Sequence, residues 1–91
     1  MTEDLIFRRP DAVWSDLDGQ VAVLDMASGQ YYEVRGVGGA IWRYIDEPRS
    51  LSQIVEHVMA GFDVERAACE TDVRRFIDSL QAAGLLADGG D

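Results

Sequence analysis

Apolar positions change their period once along this chain, near residue 35. Before that point they fall in short β-type runs, and after it they recur every three or four residues. The stretch Val21 to Val34, VAVLDMASGQYYEV, reads as a β-hairpin: Val21, Val23 and Leu24 are β-formers, Ser28-Gly29 sits at the turn, and Tyr31-Tyr32-Glu33-Val34 makes the return strand. Upstream, AVWSDL alternates weakly, and Asp16-Leu17-Asp18-Gly19 supplies a turn in which Gly19 is free to take φ > 0. The pattern predicts a meander with strands over roughly 12–17, 20–26 and 30–34. On the second and third strands it assigns Ala22, Leu24, Met26, Tyr32 and Val34 to the core face, leaving Asp25, Tyr31 and Glu33 on a wetter face.

Three helices are predicted to follow. Val37, Ala40, Ile41, Tyr44 and Ile45 share one stripe of the first, which Pro48 stops; Trp42 lies off that stripe, free to cover the sheet or to meet a partner. The second opens on Ser50-x-x-Gln53, a capping box, carries Leu51, Ile54, Val55, Val58 and Phe62 on one face, and ends near Gly61. The third runs over Val64 to Ala83 behind a cap at Asp63, with Cys69, Val73, Phe76, Ile77 and Leu80 on its apolar arc, and Gly84 stops it. Glu70/Arg74, Asp72/Arg75 and Arg74/Asp78 are spaced to pair on its outer side. The order is α+β: a three-stranded antiparallel sheet followed by three helices, winged helix-turn-helix-like in that helices 2 and 3 are joined by a short linker. One domain is expected over 12–87, with a flexible N-terminal arm over 1–11 and a disordered tail over 88–91. No fourth strand is predicted, so the outer edge of Tyr31–Val34 is expected to present unpaired N–H and C=O groups to another chain.

Composition narrows the function classes. The chain has 91 residues and a net charge of −9, and every base is an arginine. Nucleic-acid binders need a basic face to displace counterions from phosphates, and an anionic membrane would be repelled for the same reason. The N-terminus, MTEDLIFRRPD, has no apolar h-region, so a cytoplasmic location is expected. One cysteine and one histidine cannot assemble a zinc site, and neither metal nor cofactor is expected.

Candidate chemistry is sparse. Gly36-Val37-Gly38-Gly39 lies between strand and helix, but Ile41 stands where G-x-G-x-x-G needs glycine, and no Lys-Ser/Thr follows. His57 falls off the apolar stripe of helix 2 and reads as a surface residue; Cys69, among Ala67, Ala68 and Val73, reads as a small buried residue rather than a nucleophile. No catalytic set is expected. Phe76 is divided between core and a groove beside the third strand, and if that groove exists Asp72 and Arg75 are candidates to contact a peptide in it.

The run D-x-x-S-G-Q-Y-Y (Asp25 to Tyr32), G-A-I-W (Gly39 to Trp42), the Ser50-Leu51 helix opening, F-D-V (Phe62 to Val64), D-V-R-x-F (Asp72 to Phe76) and the closing A-G-L-L resemble the PqqD-like proteins, the recognition elements of ribosomally made, post-translationally modified peptides. The resemblance covers roughly 12–87. It implies a non-catalytic adaptor that binds the leader of a precursor peptide as an added strand and presents it to a modifying enzyme. Carried onto this sequence, it points to Gln30, Tyr31, Tyr32, Glu33 and Val34 for backbone pairing, and to Asp72, Val73, Arg75, Phe76 and Leu80 for the cleft against helix 3. A lasso-peptide pathway, with a leader peptidase and cyclase as partners, is the favoured subtype; a partner of a radical-SAM peptide-modifying enzyme is the alternative. The family commonly has Asn capping helix 1 where this chain has Arg35, which cannot accept a hydrogen bond. Rival readings are a homodimer formed through the same strand edge, a winged-helix DNA-binding regulator and a small enzyme.

Overall fold

The hairpin register decides which residues meet. In the computed structural model, which describes residues 5–18 and 20–87, strands β1 (Trp14–Leu17), β2 (Gln20–Leu24) and β3 (Tyr31–Arg35) form one antiparallel sheet in the order β1-β2-β3. Helices α1 (Val37–Tyr44), α2 (Leu51–Gly61) and α3 (Arg66–Ala82) follow. The β2–β3 turn is held by the Asp25 carboxylate, which accepts from Ala27 N at 2.9 Å and Ser28 N at 3.3 Å, while Gly29 takes φ +75°. Between β1 and β2 Asp18 itself is left-handed, at φ 50°; the turn glycine, Gly19, lies outside the described residues.

That turn sets Val23 opposite Tyr32 and Val21 opposite Val34. Directly paired residues share a face, so Val21, Val23, Tyr32 and Val34 look into the core, and Val21 and Val23 are fully buried. The expected core face was thus right for β3 and one residue out of phase on β2: Ala22 and Leu24 lie on the outer face, and Met26 is half exposed in the turn. β-branched Val21 and Val23 carry the true alternation.

All three helices lie on the core face. Trp42, which its position off the stripe left free to cover the sheet or to meet a partner, covers the sheet: it is fully buried, with its ring edge-on to Trp14 at 6.1 Å between centroids. Its indole Nε1 has no hydrogen-bond partner among the described residues. The capping box of α2 forms as read: Gln53 N donates to Ser50 Oγ at 3.1 Å and Ser50 N to Gln53 Oε1 at 2.9 Å. At the end of α3, Leu85 N donates to Leu80 O and Gly84 N to Gln81 O, a Schellman close with Gly84 at φ +73°. The start of α3 differs from expectation: Glu65, not Asp63, is the N-cap, and no side chain caps it. Arg66 pairs with Glu70 and Glu56. The expected Glu70/Arg74, Asp72/Arg75 and Arg74/Asp78 pairs are absent, leaving Arg74 and Arg75 without an ion pair among the described residues.

The described part of the N-terminal arm, expected to be flexible, is docked by backbone hydrogen bonds. Ile6 N and O exchange bonds of 2.7 and 2.9 Å with Arg49, Arg8 N donates to Ile45 O, Arg9 N donates to Leu85 O, and Ala87 N donates to Phe7 O. The arm is an extended segment paired on both sides, a long-range arrangement that carries no periodicity of its own. Residues 1–4 and the expected tail, 88–91, lie outside the described residues. Arg8 anchors the segment: its Nη1 donates to Trp42 O at 2.6 Å, and its guanidinium sits 4.7 Å from the Trp14 ring and 5.5 Å from that of Trp42. A part-buried charged hydrogen bond is worth about 1.5–3 kcal/mol, and a cation–π contact about 0.5–1. Arg8→Ala is therefore expected to lower stability by about 2 kcal/mol in urea unfolding followed by tryptophan fluorescence. Arg9→Ala, which loses an exposed pair with Asp11, should cost under about 1 kcal/mol.

Candidate functional site

Two hydrogen bonds fix the polarity of the β3 edge, which pairs with no further strand among the described residues. Asp25 N donates to Gln30 O, and Leu24 N donates to Val13 O. In antiparallel pairing the hydrogen-bonding groups of successive residues point to opposite sides. The alternation therefore aims Asp25, Val23 and Val21 at β3, and Leu24 and Ala22 at β1. Across the register, Gln30, Tyr32 and Val34 turn their backbone groups toward β2, while Tyr31, Glu33 and Arg35 turn theirs outward. The expected pairing segment, Gln30–Val34, is corrected on this point: three of its five residues are already committed to the ladder, and Arg35, which the sequence reading did not include, joins the outward set. β1, the other edge, aims only Trp14 and Asp16 outward, and Asp16 is gripped by Arg43 through two bonds of 3.0 and 2.8 Å. That grip holds the Asp16 carboxyl below the ordinary carboxylate range.

Beside the β3 edge, α3 stands back from the sheet. No Cα of α3 comes within 8 Å of a Cα of β3. Phe76 reaches across that gap: a Cβ placed on Gly38 would stand 2.6 Å from Val34 Cγ1 and 3.2 Å from Phe76 Cε1. Gly38 thus lets α1 press onto β3 and brings Phe76 against the same spot. Phe76 is half-buried, so it is both core and groove: its edge packs on the core and the rest remains open. Asp72 and Arg75 are exposed on α3. Val73 and Leu80 are corrected, since both are fully buried and present no surface to a guest. Their positions on the apolar arc of α3 carried the signal that they belong to the core.

Around this site Tyr32 is half-buried, and burial first, then the Asp25 carboxylate, raises its phenol above the ordinary value. It remains a neutral hydroxyl at neutral pH. Helix α1 begins at Gly36, φ 56°, with no side-chain cap, and Arg35 instead pairs with Glu33 at 3.1 Å on the surface. The missing Asn cap is thus replaced by backbone geometry. Cys69 is buried, its thiol raised chiefly by desolvation and next by Asp72, and its Sγ lies 3.9 Å from Val55 O. His57 is exposed but stacks on Tyr44 at 3.9 Å, a contact its surface assignment did not include. Among the described residues no three His, Cys, Asp or Glu side chains converge to hold a metal ion, and no helix is long and apolar enough to cross a membrane.

A family model described as Coenzyme PQQ synthesis protein D (PqqD) matches residues 20–86. The chain is similar in structure to "TbiB1 in Complex with the TbiA(beta) Leader Peptide", with a TM-score of 0.80 and 28% identity, covering 93% of this chain and 99% of that one. It also shares its fold with "Lasso peptide synthetase B1 complexed with the leader peptide", with a TM-score of 0.75 and 22% identity, covering 90% and 96% of the two chains. No curated protein sequence matches significantly. The expected fold, an α+β sheet-then-helices domain of PqqD-like type, is therefore the observed one.

The Gly38 contact gives a direct test of how closely α1 packs on β3. Gly38→Ala gains about 1 kcal/mol of helix propensity, but the added methyl meets a branched side chain on a packed strand, an overpacking that costs about 1–3 kcal/mol. A net loss of about 1 kcal/mol is expected in thermal or urea unfolding. A stabilised variant would show that α1 does not press on β3 at this point.

Proposed function

We propose, on the premise that this chain belongs to the family of coenzyme PQQ synthesis protein D (PqqD), that it is a non-catalytic adaptor for the leader segment of a ribosomally made precursor peptide. The leader adds as a fourth strand along β3, and its alternate side chains enter the cleft floored by Phe76. The observation that carries this reading is the outward row of backbone groups at Tyr31, Glu33 and Arg35 beside that cleft. The likeness to a chain solved with a leader peptide supports it.

The energetics divide the work. Each main-chain hydrogen bond nets about 0.5–1.5 kcal/mol and reads no sequence, so the edge supplies a general hold. Selectivity comes from apolar leader side chains lying against half-buried Tyr32 and Phe76, with Asp72 and Arg75 available at the rim. Arg75 has no ion pair among the described residues and is free to meet a leader carboxylate. The favoured partner enzyme is a lasso-peptide leader peptidase with its cyclase, because both solved relatives are leader-bound and one is described as a lasso peptide synthetase B1. A second reading, service to a radical-SAM peptide-modifying enzyme as in quinone-cofactor biosynthesis, accords with a family model named for coenzyme PQQ synthesis. A net charge of −9 argues against a nucleic-acid partner and against a membrane surface. We place the protein in the cytoplasm, where such a precursor is made.

Proline distinguishes the backbone claim from a side-chain effect. Glu33 directs its N–H away from β2, so Glu33→Pro spares the ladder, as edge prolines do, yet deletes a donor the guest needs. Titrating the co-encoded leader, labelled with a fluorophore, should show Glu33→Pro binding about tenfold more weakly at unchanged circular dichroism, consistent with one or two lost bonds. Phe76→Ala should weaken binding by a similar factor and Glu56→Ala, on the far side of α2, by less than about twofold. Equal affinity for wild type and Glu33→Pro would remove strand addition from the reading.

A further inference from the structure

Tyr31, Glu33 and Arg35, whose backbone groups aim outward, pair across the sheet with Leu24, Ala22 and Gln20. Their side chains therefore stand on the face away from the helices. A guest residue set opposite one of them along the edge shows its own side chain on that same face. Its neighbours in the guest turn to the other face, toward Tyr32 and Phe76. The edge thus meets two interleaved sets of leader positions, an apolar set beside Phe76 and a second set beside Tyr31, Glu33 and Arg35.

That second set meets opposite charges two residues apart. Glu33 and Arg35 bridge each other at 3.1 Å, with side chains 50% and 67% exposed. The bridge uses Arg35 Nη2 and Glu33 Oε1, while Arg35 Nε and Nη1 and Glu33 Oε2 have no partner among the described residues. From β2 the residues opposite are Ala22 and Gln20, so that strand brings no competing charge. We propose, resting on the strand-addition reading above, that Glu33 and Arg35 select the direction and register of the leader by its charges, taking an acidic residue opposite Arg35 and a basic one opposite Glu33. The edge offers backbone bonds to a guest running either way, and apolar side chains at every second position suit either sense. Charge order breaks that symmetry. A guest antiparallel to β3 passes Arg35 first, so an acid-x-base triplet closes an alternating square of four charges. The same triplet in a parallel guest sets like against like, and so does a slip of two residues at one of the pairs. Exposed ion pairs add little affinity each, so their contribution is discrimination. A second copy of β3 carries the same order when Val34 lies opposite Val34, but it brings a net charge of −9 with it.

The test uses the intact protein and the synthetic leader of the co-encoded precursor, labelled with a fluorophore and titrated by anisotropy. The bound segment of that leader should contain an acid-x-base triplet, and its absence would overturn the assignment. Exchanging the two charges within the triplet should weaken binding to wild type about tenfold at low salt. The loss should fall below about threefold near 1 M salt, where the Debye length is about 3 Å. The doubly exchanged protein, Glu33→Arg with Arg35→Glu, keeps the net charge and both backbone donors. It should reverse the preference, binding the exchanged leader about tenfold more tightly than the native one. Glu33→Gln keeps the donor that Glu33→Pro removes and should weaken native leader binding only about threefold. Undiminished affinity of wild type for the exchanged leader would overturn charge selection while leaving strand addition in place. So would an unreversed preference in the doubly exchanged protein at unchanged circular dichroism. A dimer in light scattering that Arg35→Glu dissolves would assign the charge square to a second copy instead. Failure of wild type to bind the native leader would overturn strand addition, and this inference with it.

Discussion

The pairing of Val23 with Tyr32 and Val21 with Val34 is the constraint on which the remainder of the structure depends. It chooses the buried face of the sheet, and therefore where α1 lands and what Phe76 meets. It also chooses, by alternation, which backbone groups of β3 are spent on β2 and which stay open. Because the side-chain period of a strand is two, a slip of one residue would exchange both sets at once: valines would face water, and the open edge would belong to Tyr32 and Val34. The Asx turn at Asp25 and the left-handed Gly29 fix that choice at the hairpin tip, before any helix is needed.

Local signals were the legible ones. The capping box at Ser50 and Gln53 and the glycine close at Gly84 depend on residues within five positions of each other, and both formed as read. The strand meander and its free edge were also legible, because two turn signals and three short β-runs leave little choice of topology. The phase of β2 was not, because Ala22 and Leu24 alternate as plausibly as Val21 and Val23, and only pairing with β3 breaks the tie. Nor was the arm: Ile6 and Arg8 are held by Arg49, Ile45 and the segment after α3, partners that no sequence window contains. Trp42 was left undecided because an eight-residue helix can be covered on more than one side, by the sheet, by α2 and by Arg8 and Trp14 together. On α3, family likeness could not separate exposed Asp72 and Arg75 from buried Val73 and Leu80. Their spacing on the helix separates them only once the direction of the core is known.

An open strand edge is a hazard as well as a site, since any extended chain can pair with it, including a second copy of this one. Several features of β3 limit that risk without closing the edge. The strand is short, at five residues, and offers only three outward positions. Two of these bear the Glu33–Arg35 pair, which a copy arriving in antiparallel register would have to accommodate. The wider field adds to this: at a net charge of −9, self-association brings like charges together within a Debye length of about 8 Å, where screening is incomplete. A guest peptide without that acidity meets no such barrier. The same charge that makes nucleic acid an improbable partner thus biases the edge toward foreign strands over its own. Discrimination among those strands falls to apolar surface that the fold leaves half-covered beside the edge, above all the ring of Phe76 packed at the missing Cβ of Gly38.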